Sequence, residues 1–350
     1  MYCLYGAIIS GLLYLVETRQ NFFFFSKAAD LPPAAFFIAC TIQKQEVKTV
    51  SVPAAYLTVI LIWSTTPLAI QWSGVGVGYE FGVAARMVIG LLALLLMIRL
   101  RGLPLPWNSH ARKVYLVSGI SIFFAMSLVY WSAQYIPSGW ISVIFGLSPI
   151  ITSAFATIIL RDNKMTAGRV IGMSLGLLGL FVVFAEGLSL ADAAWMGVAG
   201  VTFGAVSQSL GAVLLQKLKT DIAAISITAG SLIVATPLFL LNFMLMQSWP
   251  DNISTATLLS IVYLAVMGSA IGFPLYFYLL KKLNAERVAL IALITPVTAL
   301  LVGAYLNDEV ISTRVWLGTA LIIAGLAIYE YGKHLPFARK WQIRWNQRPL

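Results

Sequence analysis

The sequence predicts an all-α integral membrane protein whose ten transmembrane helices form two inverted five-helix repeats. Composition is the first reason: 60% of the 350 residues are hydrophobic, 10% are charged and the mean hydropathy is +0.88, whereas an ordinary soluble domain carries about 25% charged residues. A run of apolar segments after residue 50 is the second. The third is a pattern written twice. LSPIITSAFATIILRD at 147–162 returns as LITPVTALLVGAYLNDE at 293–309, so that Thr295, Pro296 and Glu309 stand on Ser148, Pro149 and Asp162 at a constant offset of 147 residues.

The apolar segments span 53–71, 79–98, 114–135, 137–159, 167–185, 194–215, 222–246, 256–280, 286–305 and 312–331. Each is long enough for a helix to cross a hydrocarbon core of about 30 Å. Alternate gaps between them are basic: Arg99, Arg101, Arg112 and Lys113; Arg161, Lys164 and Arg169; Lys217 and Lys219; Lys281, Lys282 and Arg287; and the tail with Lys333, Arg339, Lys340, Arg344 and Arg348. The opposite gaps hold only Arg314 as a basic residue, and carry Glu186, Asp192 and Asp251. Lys and Arg gather in short cytoplasmic loops, so the expected topology puts both ends of the ten-helix core in the cytoplasm. The same bias accounts for the net charge of +10 and leaves nothing for nucleic acid to recognise.

Five spans per half is an odd number, so the second half enters the membrane upside down relative to the first, an arrangement typical of secondary transporters. The duplication continues past the proline pattern. GMSLGLLG runs from Gly172 to Gly179 and GTALIIAG from Gly318 to Gly325, each placing glycines on one helix face.

The stretch GSAIGFPLYFYLLKKLNAERVALIALITPVTALLVGAYLNDE, followed by RVWLGTALIIAGLAIY, resembles the second repeat of the EamA family in the drug/metabolite transporter superfamily. IWSTTPLAI at 62–70 and AARMVIGLLALLL at 84–96 are similar to that family's first and second helices. The resemblance covers residues 53 to 332, with Asp162 standing where the first repeat usually has glutamate. It implies ten helices, no ATP hydrolysis, and export or exchange of small metabolites, amino-acid-like or drug-like, in the inner membrane. The repeats would occupy 53–185 and 191–332, followed by a basic cytoplasmic tail at 333–350. Residues 1–52, with an apolar start too short for a span and no basic leader, read as an upstream extension of a core that begins near Val50 or Val52.

Proline inside a span removes a backbone hydrogen bond, and the freed carbonyl needs a partner. Ser148-Pro149, Thr295-Pro296 and Ser64-Thr65-Thr66-Pro67 each set hydroxyls beside such a break. Pro67, Pro149 and Pro296 are therefore expected as helix breaks or hinges, with Ser64, Thr66, Ser148 and Thr295 on a midplane cavity; the competing reading makes them kinks that improve packing. Trp63, mid-span rather than in an interfacial belt, is a candidate cavity wall or a packed indole. Tyr130 and Trp131 in the third span and Tyr276 and Tyr278 in the eighth are candidates for a second aromatic layer. Arg86, a cation well inside a span at a cost of about 2.5–3.5 kcal/mol, either attracts a cargo anion or bonds neighbouring helices, and its place nearer the span's end favours the second. Gln208 can reach cargo or join helices. Gly197, Gly204 and Gly211, seven residues apart, point to close packing of the sixth span.

Other functions lack their chemistry. Gly74 to Gly78 alternates glycine and valine without the rest of a dinucleotide fingerprint, and no phosphate-loop lysine motif occurs. His110 and His334 are far apart, and the two cysteines, Cys3 and Cys40, sit near the N-terminus, so no metal, cofactor or acid–base site is expected. No span has a carboxylate near its centre, which argues against an intramembrane enzyme and a buried proton relay. A channel or a non-transporting scaffold remains the alternative class. The partners expected are a small-molecule substrate and the lipid bilayer, and a homodimer is compatible with the sequence.

Overall fold

A computed structural model of the chain describes residues 51–160, 167–190, 193–246, 250, 252–282 and 285–331. Contacts divide the chain into two units, Met1–Ala55 and Tyr56–Leu350, and in the first of these only residues 51–55 are described. The expected N-terminal extension, Asp162 and the basic tail thus lie outside the described residues.

The described residues contain no strand. In order, the helices are α1 (Val52–Ser73), α2 (Tyr79–Leu100), α3 (Ser109–Ser132), α4 (Ser138–Phe145), α5 (Ser148–Ile159), α6 (Ala167–Leu190), α7 (Ala194–Leu218) and α8 (Ala224–Met246). There follow α9 (Thr255–Tyr263), a π-helical stretch (Leu264–Gly272), α10 (Phe273–Lys282), α11 (Ala285–Leu306) and α12 (Thr313–Tyr331). Eight segments are long and apolar enough to cross a membrane; α4 with α5 makes one and α9 with the π stretch and the start of α10 makes another. Ile291–Leu306 and Thr313–Tyr329 add two shorter apolar helices.

Capping explains where several helices start. Asn108 accepts from Ala111 N at 2.8 Å to open α3, and Ser254 accepts from Thr257 N at 3.1 Å to open α9, each satisfying a donor the first turn leaves bare. Glycine explains how the helices meet. A methyl group on Gly172 would lie 2.5 Å from the carbonyl oxygen of Gly325, one on Gly325 would lie 2.6 Å from that of Gly172, and Gly179 and Gly318 face each other in the same way at 2.6 and 2.9 Å. Helices α6 and α12 therefore run antiparallel in backbone contact, each step forward on one matched by a step back on the other. Arg314 joins Glu186 at 3.3 Å near one end of this pair, and the Arg169 guanidinium lies 5.4 Å from the Tyr329 ring centroid near the other.

Helix α7 is seated on α3 by the same device. Gly197 faces Ile136, Gly200 faces Ser132 and the Trp131 ring, Gly204 faces the Ala125 carbonyl and Gly211 faces Ser121, so the packing expected of this glycine row is present. Helix α1 differs. Among the described residues it packs extensively along no other helix, and it meets α2 at its end, where a methyl on Gly82 would lie 2.6 Å from the Ser73 carbonyl oxygen.

The three prolines do not act alike. Pro149 sits in the first turn of α5, after a break at Gly146-Leu147, where a missing N–H costs nothing because first-turn donors have no intrahelical partner. Pro67 and Pro296 lie inside the continuous helices α1 and α11, where each leaves the carbonyl four residues earlier without its usual donor. The expected pair of equivalent breaks is thus one true break and one interior proline. They meet in space: a methyl on Gly146 would lie 3.2 Å from Pro296 Cγ.

Candidate functional site

Helix α1 reaches its neighbours with side chains. The Trp63 ring lies 4.8 Å from that of Tyr276 on α10, tilted by 42°. Ser64, 3% exposed, shares a short hydrogen bond with Thr298 on α11. Thr65 and the Tyr263 hydroxyl are 2.6 Å apart. Ser64, Thr65, Thr66 and Thr298 also bond carbonyls one turn back on their own helices, at 2.6 to 3.1 Å. Such back-bonding satisfies a hydroxyl within apolar surroundings. The result is a strip of aromatic rings and hydroxyls, half-buried at Trp63, Thr65, Thr66 and Tyr276, running between α1 on one side and α9, α10 and α11 on the other. Thr295, buried, lies on α11 one turn before Thr298.

One end of α1 is fastened by a second network. Trp72 Nε1 donates to Asn307 Oδ1 at 2.9 Å, and Asn307 Nδ2 donates to Gln71 Oε1 and to Glu309 Oε1, both at 3.1 Å. Glu309 in turn accepts from Ser138 N at 3.0 Å and Gly139 N at 3.3 Å. Pro137 precedes α4 and offers no capping side chain, so the carboxylate from the segment before α12 caps α4 in its place, with the favourable charge for a helix N-terminus. Asp308 adopts a left-handed φ of 51°, which turns the chain so that Glu309 points back.

A third cluster surrounds Arg86. The residue is 4% exposed; its Nη1 donates to the Tyr130 hydroxyl at 3.2 Å and its Nε to Ser269 Oγ at 3.4 Å. Ser269 belongs to the π stretch and donates to the carbonyl of Leu264, five residues back, at 3.3 Å, in keeping with the π register. Pro274, just beyond, lacks the N–H that an α-helix would use there.

Of the residues picked out by sequence, the structure joins Trp63 to Tyr276 and Arg86 to Tyr130, and sets Ser64 beside Thr298 one turn from Thr295. Trp131, 5.0 Å from Tyr135, packs on α7 at Gly200 and belongs to a helix interface, so the expected aromatic layer of Tyr130 and Trp131 is split between two settings. Ser148 is placed on α5, where its hydroxyl is buried without a hydrogen-bond partner among the described residues and its carbonyl accepts from Ser209 Oγ at 3.3 Å. Gln208 is half-buried on α7. Sequence reasoning missed Thr298, Tyr263 and Ser269. For Thr298 a signal existed: it follows Thr295 at the three-residue spacing that shares a helix face.

A family model described as the EamA-like transporter family matches residues 52–185 and 195–330. The chain belongs to this family. It is a multi-pass membrane transporter. It is 23% identical over 288 residues to the uncharacterized inner membrane transporter YedA of Escherichia coli K12, covering 80% of this chain and 91% of that one. It is 28% identical over 202 residues to a probable amino-acid metabolite efflux pump of the same organism, covering 53% of this chain and 68% of the other. A solved crystal structure shares the fold with a TM-score of 0.57 and 21% identity, covering 82% of this chain and 98% of that one. This EamA-family chain opens its first matched repeat with α1 and its second with α7.

Proposed function

We propose that this EamA-family protein is a secondary carrier that exports or exchanges small amino-acid-like or drug-like metabolites by alternating access. The observation that carries the reading is α1, a helix with no extended close packing on another helix among the described residues, which meets its neighbours through Trp63–Tyr276, Ser64–Thr298 and Thr65–Tyr263. Rings and hydroxyls along such a seam suit a cargo with an apolar body and a few hydrogen-bonding groups. A carrier must make and break these links in every cycle, which weak side-chain contacts permit and backbone contact does not.

In this reading ten helices form two inverted repeats, 53–185 and 191–332. The reciprocal contacts of Gly172 with Gly325 and of Gly179 with Gly318 support the inversion, because symmetry-related glycines exchange roles across an antiparallel pair. The basic gaps support an inner-membrane topology with both ends of the core in the cytoplasm. The relative's name as a probable amino-acid metabolite efflux pump favours amino-acid-like cargo.

Counterflow in proteoliposomes tests the proposal. Vesicles preloaded with unlabelled amino acids should accumulate the labelled cargo transiently and saturably. Flux that rises linearly with concentration, without stimulation from the opposite side, would make the protein a channel; no flux with any cargo in an amino-acid and metabolite panel would make it a scaffold. Alkaline phosphatase fused after Arg339 should be inactive and fused near Asp251 active, and the reverse result would invert the topology.

A further inference from the structure

We propose that Arg86, Tyr130 and Trp63 form an anion subsite on the glycine face of the π stretch, which takes the carboxylate of the cargo. The inference rests on the carrier reading for the cargo, and on independent geometry for the subsite.

The guanidinium is more than nine-tenths buried, yet among the described residues no carboxylate lies within ion-pair distance of it; the ion pair they contain is Arg314–Glu186. Of the five N–H groups a guanidinium offers, Nε and one on Nη1 are used, by bonds of 3.4 and 3.2 Å at or beyond the long end of the usual range. Nη2 has no acceptor among the described residues. It points at Gly268, where a methyl group would lie 3.1 Å from it. Four residues further along the same stretch, a methyl on Gly272 would lie 3.7 Å from Trp63 Nε1, an indole N–H with no acceptor among the described residues. Gly90, one turn after Arg86 on α2, lets the π stretch come close, since a methyl there would lie 3.3 Å from Ser269 Cβ.

Gly268 thus brings no side chain of its own against Nη2, while a methyl on Gly272 would lie 3.4 Å from Ile62 Cγ2, so an apolar side chain stands beside the second unspent donor. The Tyr130 hydroxyl accepts from Arg86 and keeps its own proton to donate. Three donors, one of them cationic, with no acid among them, select an acceptor that carries negative charge. The Trp63–Tyr276 pair at the same face supplies an apolar wall beside it, so an aryl or alkyl carboxylate fits better than a bare anion, and an amine-only cation is excluded by charge.

The test uses purified protein in nanodiscs, with phenylacetate, its neutral amide and phenethylamine as probes, read by thermal shift and by equilibrium binding of labelled probe. Phenylacetate is expected to bind saturably and at least tenfold more tightly than the amide, with no binding of phenethylamine. Gly268→Ala places a methyl against Nη2, whose flexible end can yield, so the variant should fold; it is expected to weaken phenylacetate about tenfold and the amide by less, so that the preference for acid over amide shrinks. Arg86→Lys, which keeps the charge and loses the fork, should fall between Gly268→Ala and Arg86→Gln. Equal binding of acid and amide, no binding of phenylacetate, or the same shift from chloride alone would each overturn the subsite. Binding is read without flux, so a protein that binds phenylacetate through Arg86 but shows no counterflow would sink the carrier reading and spare this one, while counterflow without acid-over-amide preference would do the reverse.

Discussion

Helices α1 and α7 open the two family-matched repeats, and they are held in opposite ways. Helix α7 presents Gly197, Gly200, Gly204 and Gly211 to α3, and at Gly197 an added methyl would come within 2.7 Å of Ile136. Helix α1 has no glycine at all between Val52 and Ser73. It carries Trp63, Ser64, Thr65 and Thr66 instead, and Trp63, Ser64 and Thr65 touch α10, α11 and α9 through their tips. In a bilayer, helices associate through close van der Waals packing and interhelical hydrogen bonds, because lipid tails are as apolar as leucine. Helix α7 relies on the first of these and α1 on the second. A repeated plan can thus seat one helix by backbone contact and its counterpart by side chains, according to where glycine falls.

The sharpest contrast comes from adding bulk to each helix. Gly200→Leu would drive a side chain into Ser132 and the Trp131 ring, and overpacking of a tight interface costs about 1–3 kcal/mol or more. Little monodisperse protein should survive detergent extraction when followed by fluorescence size-exclusion chromatography. On α1, Leu61→Trp enlarges a residue that is 66% exposed and should extract like wild type. Equal yields for the two would mean that α7 is no more fixed than α1.

Next in size is Trp63→Ala, which removes the ring that meets Tyr276 but no backbone contact. Folded yield should stay within about twofold of wild type while transport of any cargo identified by counterflow falls at least tenfold, about 1.4 kcal/mol of lost interaction. A variant that loses yield and keeps its transport per folded molecule would move Trp63 from the site to the packing.

Glu309→Ala tests the tie at the end of α1. It strips the acceptor from Ser138 N and Gly139 N and from Asn307, and leaving such donors without a partner costs about 1–3 kcal/mol. The melting temperature should drop, whereas Glu309→Gln, whose amide oxygen can still cap one N–H, should drop it less. Identical melting for all three proteins would show that water replaces the carboxylate at no cost.

How much of this was legible beforehand varied with the kind of information involved. Hydropathy marked the apolar helices, since crossing a bilayer demands long apolar runs whatever the neighbours are, but among the described residues eight of the ten expected spans are long and apolar enough to cross, and the last two are shorter. The glycine rows at 172–179 and 318–325 announced close packing because glycine spacing survives translation into helix faces. The role of Glu309 was only half visible: its pairing with Asp162 marked a repeat, but its amide partners lie 170 and 171 residues away in the chain. The π stretch left only Gly268, Gly272 and Pro274 as traces, and helical periodicity does not separate π from α over so few residues. Arg86 was legible as an expense and not as a donor set, because which of its N–H groups are spent depends on residues 44 and 183 positions distant.

The smallest effect probes the middle of α1 most directly. Ser64 and Thr298 each have one proton and two calls upon it: Ser64 can donate to the Ile60 carbonyl and Thr298 to that of Ile294, at 2.7 and 3.1 Å, while the bond between them needs one of the two to donate across. Whichever hydroxyl donates across gives up its own carbonyl, so the interhelical bond partly replaces an intrahelical one. Its net worth should therefore sit near the average of about 0.6 kcal/mol for hydrogen bonds between membrane helices, rather than at the upper end. A double-mutant cycle of Ser64→Ala and Thr298→Val, read by reversible unfolding in mixed micelles, should return a coupling of about that size. Strict additivity would mean that each hydroxyl bonds its own helix alone. Helix α1 would then be held mid-membrane by Trp63 and Thr65 only, which is a looser attachment still and a wider contrast with α7.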